Sequence, residues 1–236
     1  MINELIKKEK LASALFLVPT PVGNLEDMTL RALKVISNAD ILACEDTRRT
    51  GVLLKHYSIH AKKLESYHEH NEKEKSDLLT DEIKKGKSVA VITDAGTPGI
   101  SDPAYRIVQK AIEKKIEVIP LPGPTAFVPA LVASGLPVNQ FRFLGFPPQK
   151  KGRKTFIESL AEEDCTLILY ESPYRIPRLL LQLSEVLEKD RKVCIAREIS
   201  KLHEEFIRGD IQTCLDIMNQ KDKVKGEFVV IIEGKK

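Results

Sequence analysis

The stretch Ser88-Val-Ala-Val-Ile-Thr-Asp-Ala-Gly-Thr-Pro-Gly-Ile-Ser-Asp-Pro103 decides the fold. Val89 to Ile92 is a short, continuous apolar run, the kind a strand buried on both faces requires. It stops at Thr93-Asp94, and two glycines and a proline follow. Pro103 then opens a helical pattern carried by Tyr105, Ile107, Val108, Ala111 and Ile112. Gly96 and Gly99 let the backbone turn sharply and approach a ligand with no Cβ in the way. Ligands of open α/β sheets bind beyond the carboxyl ends of strands. A ligand loop is therefore expected here, with a purely structural turn as the alternative.

The same alternation extends upstream and downstream. Ala14 to Val18 reads as a strand, Thr29 to Ala39 as a helix, Asp40 to Cys44 as a strand and Thr47 to His56 as a helix. Lys63 to Tyr67 is a weaker strand, Lys73 to Lys85 a charged helix, and Glu117 to Leu121 a further strand. Such alternation predicts an α/β fold whose N-terminal domain is a doubly wound, mostly parallel sheet. After Leu121 the character changes. Pro122-Gly-Pro124 introduces an apolar helix, Ala126 to Ala133, and Gly135 to Pro148 is dense in glycine and proline. Strand patterns at 166–170, 193–196, 205–208 and 227–232 then dominate over helices at 154–160, 176–187 and 211–218. The expected division is 1–121 and 122–236, the second part a mixed α/β sheet with two or three helices.

Composition narrows the class. With 236 residues, 42% hydrophobic and 30% charged, the chain is an ordinary globular protein able to bury a real core. No window approaches the ~18 apolar residues of a membrane helix, and Met1 to Lys10 lacks the apolar core of a signal peptide. Cys44, Cys165, Cys194 and Cys214 are widely spaced, three of them in apolar runs, which predicts free thiols in a reducing cytoplasm. A net charge of +3 does not by itself imply nucleic acid.

Val18-Pro-Thr-Pro-Val-Gly-Asn24 occupies the first βα turn, where a dinucleotide fold would carry G-x-G-x-x-G, but only Gly23 is present. No phosphate-cradling P-loop occurs either, so a nucleoside ligand without phosphates is favoured over a pyrophosphate. Leu121-Pro-Gly-Pro-Thr-Ala126 again places glycine and a hydroxyl between strand and helix. Three such loops, after Val18, Ile92 and Leu121, are expected to converge at one sheet edge. Cys44-Glu-Asp-Thr-Arg48 brings Glu45, Asp46 and Arg48 to another strand end. Ser66-Tyr-His-Glu-His-Asn-Glu72 brings His68, His70 and Asn71, which read as a polar rim, a solvated edge or, less readily, metal ligands, since no third ligand has a recognisable spacing. Lys150, Lys151, Arg153 and Lys154 form a basic run suited either to a nucleic-acid backbone or to plain solvation. Glu171, in Tyr170-Glu-Ser-Pro-Tyr-Arg175, either accepts hydrogen bonds from a ligand or caps the next helix.

Taken in order, these segments, with Gly145-Phe-Pro-Pro148, Ala196-Arg-Glu-Ile-Ser-Lys-Leu-His-Glu-Glu205 and Gly226-Glu227, resemble the tetrapyrrole methylase superfamily, and within it the branch that methylates small-subunit ribosomal RNA. The resemblance spans nearly the whole chain. It implies a two-domain fold with S-adenosylmethionine folded into a crevice between the domains. The implied cofactor contacts are Pro21, Gly23, the loop Asp94, Ala95, Gly96, Thr97, Ile100 and Ser101, then Thr125, Ala126 and Tyr170. It also implies methylation of a cytidine ribose 2′-hydroxyl in the decoding region, and a homodimer. Glu45, Asp46 and Glu171 are the candidate proton acceptors, and Arg48 a candidate partner for phosphate; no metal is required. Many members of that branch continue past the strand ending here near Ile232, which bears on how firmly this chain holds RNA unaided. The rival readings are a methyltransferase acting on a tetrapyrrole carbon and a non-enzymatic nucleoside-binding regulator.

Overall fold

The computed structural model describes residues 8–221 and 223–235; of the N-terminal stretch Met1 to Lys10, the first seven residues lie outside them. The chain divides into two compact units between Thr125 and Ala126.

In the first unit five strands, β1 (Leu15–Leu17), β2 (Ile41–Cys44), β3 (Leu64–Ser66), β4 (Val89–Ile92) and β5 (Val118–Pro120), form one sheet in the order β3-β2-β4-β1-β5. All pairings are parallel, with Leu15 beside both Val89 and Val118. Consecutive strand residues alternate between two cores, because a pleated strand points successive side chains to opposite faces. Phe16, Leu42, Cys44, Ala90 and Ile92 pack under α1 (Leu30–Asn38) and α2 (Thr47–His56). Leu15, Ile41, Ala43, Val89 and Val91 pack under α3 (Glu72–Lys84) and α4 (Tyr105–Glu113). The sheet is doubly wound, as the alternation predicts. Helix starts follow local chemistry: Thr29 accepts from the Ala32 amide and Asp46 from the Arg48 amide, each a side-chain N-cap. Pro103 stands outside α4, which begins two residues later.

The second unit is a mixed sheet in the order β6-β7-β10-β8-β9: β6 (Phe141–Gly145), β7 (Thr166–Glu171), β8 (Lys192–Arg197), β9 (Glu205–Asp210) and β10 (Phe228–Ile232). Only β6 and β7 run parallel. One face carries α6 (Arg153–Leu160), α7 (Ile176–Val186) and α8 (Ile211–Asn219); the other carries α5 (Phe127–Val132). The unit therefore has four helices among its described residues, not two or three. The strand β6 is also an addition, since the glycines and prolines around it read as loop. It survives as an edge strand, and its register slips between Phe143 and Gly145.

Candidate active site

The loops that leave β1, β4 and β5 are laced together. Thr20 and Gly96 form an isolated antiparallel bridge through two 2.9 Å backbone hydrogen bonds, and the Thr20 hydroxyl donates to the Thr93 carbonyl at 3.0 Å. The Thr97 hydroxyl donates to the Pro124 carbonyl at 2.8 Å and lies 2.6 Å from the Thr125 hydroxyl. These bonds keep Pro122 to Thr125 with the first unit, four residues beyond the division read from sequence. Gly96 holds φ +87° and Gly99 φ +88°, conformations natural only to glycine, while Ser101 accepts φ 63° at a cost. Thr20, Pro21, Gly23, Thr93, Asp94 and Arg49 share the wall of a recess of ≈ 250 Å³. Pro21, Gly23, Asp94, Ala95, Gly96, Thr97, Ile100, Ser101 and Thr125 thus gather at one sheet edge.

A second, open recess of ≈ 560 Å³ adjoins the ends of β2, β3 and β4, lined by Glu45, Asp46, Thr47, Arg48, Arg49, Ser66 and Asp94. Its electrostatics divide the carboxylates. Asp46 accepts from the Arg48 amide at 2.8 Å and from the guanidinium at 2.7 and 3.1 Å, which holds its carboxyl far below the ordinary range. As a helix cap clamped by arginine it is a poor proton acceptor, which corrects its candidate catalytic role. Arg48 is correspondingly engaged, though its side chain stays exposed. Asp94 pairs with Arg49 at 3.0 Å and accepts from the Asp46 amide at 3.2 Å. Glu45 is half-buried, and burial, then the Asp94 charge, pushes its carboxyl up. Asp102 responds most strongly: burial, then the charges of Glu45 and Asp94, raises it to about 7.

His68 and His70 stand 5.9 Å apart, ring centre to ring centre, and His68 interacts electrostatically with Glu45. Among the described residues no three histidine, cysteine or acidic side chains gather as metal ligands. Asn71 is committed to its own loop, accepting from the His68 amide at 2.9 Å and donating to the Ser66 carbonyl at 3.2 Å. Its role is to fix the loop that carries His68.

In the second unit, Ala126 leads into α5, and the Tyr170 hydroxyl accepts from the Phe127 amide at 3.3 Å. Two expectations change here. Glu171 is fully buried; it accepts from the Ser172 amide and from Arg175 Nε, both at 2.8 Å, and faces Arg153 at 3.7 Å. A carboxylate enclosed by two guanidinium groups anchors its surroundings and is not open to a substrate hydroxyl. Arg153 is likewise buried, donating to Gln182 at 2.8 Å and to the Pro148 carbonyl at 3.1 Å, so it is not a surface phosphate contact. Lys150, Lys151 and Lys154 remain exposed.

The sequence profile of the Tetrapyrrole (Corrin/Porphyrin) Methylases matches residues 14–214. The chain belongs to the tetrapyrrole methylase family. A ribosomal RNA small subunit methyltransferase I of Hydrogenobaculum sp. is 44% identical to the methylase over 92% of this chain and 94% of its own. Proteins of the same name from Halalkalibacterium halodurans and Haemophilus influenzae are 47% and 44% identical, over 93% and 95% of this chain and 75% and 80% of theirs. Among solved structures, cobalt precorrin-4 methyltransferase aligns with TM-score 0.67 at 16% identity, over 94% of this chain and 95% of that one. The methyltransferase CobJ aligns at 0.69 and 17%, over 94% of each. Both show the fold.

Two residues of the open recess, and one within electrostatic reach of it, escape a reading of the sequence. Arg49 is one position past the matching segment, and Ser66 is an unremarkable strand end. Asp102 sits at the end of a loop whose glycines draw the eye; nothing local signals its burial. As a methylase of this family the protein takes its methyl group from S-adenosylmethionine, and the residues present fit that molecule. Uncharged Thr, Pro and Gly loops suit a nucleoside, Asp94 and Glu45 suit an ammonium or sulfonium, and Arg49 suits a carboxylate. No described helix is long and apolar enough to cross a membrane, and all four cysteines are free.

Proposed function

We propose that this methylase methylates the ribose 2′-hydroxyl of a cytidine in the decoding region of small-subunit ribosomal RNA, acting in the cytoplasm. The observation that carries the reading is the name shared by relatives at 43–47% identity over more than nine-tenths of the chain. The tetrapyrrole enzymes resemble it only in fold, at 16–19% identity. We assign cofactor contact to Pro21, Gly23, the loop Asp94 to Ser101, Thr125, Ala126 and Tyr170. When bound, S-adenosylmethionine supplies an electrophilic methyl group on a sulfonium.

Asp102, within electrostatic reach of Glu45 and Asp94 of the open recess, is assigned the proton-accepting task. A group titrating near 7 is half deprotonated at working pH and still basic enough to take the proton a hydroxyl releases as it is methylated. Glu45, itself raised, keeps Asp102 basic by repulsion and is the second candidate acceptor. Arg48, which lines the recess, and His68 and His70, on the loop that follows Ser66, position the RNA in this reading, Arg48 facing phosphate. The lysines of the second unit add backbone attraction. The chain works as a homodimer in this reading, supported by the exposed apolar side chains Val128, Val132, Val138 and Phe141 of the second unit.

Incubation with S-adenosylmethionine carrying a labelled methyl group, and with small subunits, free small-subunit RNA or a tetrapyrrole precursor, tests this directly. Label is expected in RNA and, after digestion, in 2′-O-methylcytidine. Label in the tetrapyrrole alone, or in a base, defeats the proposal.

A further inference from the structure

Tyr174 is the most exposed of the large hydrophobic side chains among the described residues of the second unit, with 94% of its surface open. It stands in the turn between β7 and α7, and that turn is rigid. The Arg175 and Ile176 amides donate to the Ser172 carbonyl at 3.1 and 3.0 Å, and the buried Glu171 holds both the Ser172 amide and Arg175 Nε. Pro173 and Pro177 stiffen it on either side. A lone exposed aromatic is common on protein surfaces; this one is presented on a hydrogen-bonded turn, with Arg175 and Arg178 one and four residues further along the chain. Arg175 precedes α7, Arg178 lies exposed on its first turn, and both are within electrostatic reach of Arg153. Arg153 in turn reaches across to Gln182 of α7, which fastens the segment carrying exposed Lys150 and Lys151 beside the same helix.

A planar ring held at low entropic cost beside exposed basic side chains is the arrangement that binds single-stranded nucleic acid: every base has a face that stacks, and guanidinium and ammonium groups follow the backbone. We propose that this turn is a stacking platform for an unpaired base of the RNA substrate, with Tyr174 under the base and Arg178, Lys150 and Lys151 on adjacent phosphates. The inference rests on the RNA reading above and adds to it the single-stranded character of what is held. A protein partner of ordinary composition would find few acidic counterparts satisfied by one ring and three separate cations; an RNA strand supplies base and charge together.

The test uses the full chain. Binding of a fluorescein-labelled ten-nucleotide single-stranded RNA of mixed sequence, and of the same sequence as a duplex, is measured by anisotropy for wild type, Tyr174→Ala and Tyr174→Phe. Tyr174→Ala is expected to weaken single-strand binding about 5- to 100-fold, with Tyr174→Phe restoring it to within about twofold. Duplex binding and S-adenosylmethionine affinity are expected to stay unchanged, and the loss on small-subunit RNA to appear in KM more than in kcat. Tyr174→Ala with unchanged single-strand affinity, beside a wild type that binds and methylates RNA, overturns the platform and leaves the RNA reading standing. A wild type that neither binds nor methylates RNA overturns both. A change of sedimentation mass in Tyr174→Ala assigns the ring to a contact between copies of the chain and overturns the platform as well.

Discussion

At the scale of single residues, Asp102 carries the sharpest consequence. A carboxyl raised to about 7 must lose its proton before it can accept one. Turnover is therefore expected to rise about tenfold per pH unit below 7 and to level off above it. Asp102→Asn removes that rising limb and lowers kcat about 10²- to 10⁴-fold, while S-adenosylmethionine affinity holds. A variant that keeps the wild-type pH profile would transfer the role to Glu45. Stability moves the other way. The folded state binds this proton more tightly than the unfolded chain, whose carboxyl titrates near 3.8. Its stabilising contribution is complete below that value and is lost as pH rises through about 7. Chemical denaturation is thus expected to find Asp102→Asn more stable than wild type at pH 8, with the difference closing toward pH 4. None of this was visible in sequence. Asp102 is one acidic residue among many, and only the fold brings Glu45, from another loop, and Asp94, from the far end of its own, within electrostatic reach of it.

Among the elements, the parallel strands of the first unit were legible because each is an unbroken apolar run closed by punctuation, as Val89 to Ile92 is. The edge strand β6 was not: Phe141 to Gly145 lies between prolines, and its only warrant is a neighbour more than twenty residues away. The buried pair Arg153–Glu171 was hidden for the same reason, since a charge cluster and a strand end look like surface until they meet. Arg153→Ala removes one of the two guanidinium groups around buried Glu171, leaving Arg175, and strips the bonds to Gln182 and Pro148; it is expected to cost about 1–3 kcal/mol. Lys150→Ala beside it, on open surface, should stay within about 0.5 kcal/mol. Comparable melting of the two variants would dissolve the distinction. Between the loops, Gly123 leaves no room for a side chain: a Cβ there would stand 2.7 and 2.9 Å from two ring carbons of Pro19. Gly123→Ala is expected to cost about 1–3 kcal/mol in urea titration and to weaken S-adenosylmethionine binding, because the proline cannot yield without shifting the β1 loop. A variant of normal stability and affinity would show the loop to be pliable.

For the whole molecule, a net charge of +3 understates the attraction for RNA, because the lysines and arginines are not evenly spread. Replacing Lys150, Lys151 and Lys154 by alanine while keeping the buried Arg153 is expected to shallow the dependence of log affinity on log salt. The slope should fall by about 0.7 for each phosphate no longer neutralised, about 2 in all. Lys154 is the residue with the least to give, being 3.7 Å from Glu158. An unchanged slope in an anisotropy series from low to high salt would reduce the run to solvated surface.

The strand order β3-β2-β4-β1-β5 also sets a timetable. β1 leaves the ribosome well before both of its neighbours, β4 and β5; Leu15 must wait for Val89, some 70 residues on, and then for Val118. At about 5–20 residues per second that is a delay of roughly 4–15 s, during which the nascent chain displays a bare apolar segment with no edge to join. The newborn protein is therefore a natural client for chaperones that meet chains at the exit tunnel, and slowing translation between residues 20 and 90 should lower its soluble yield.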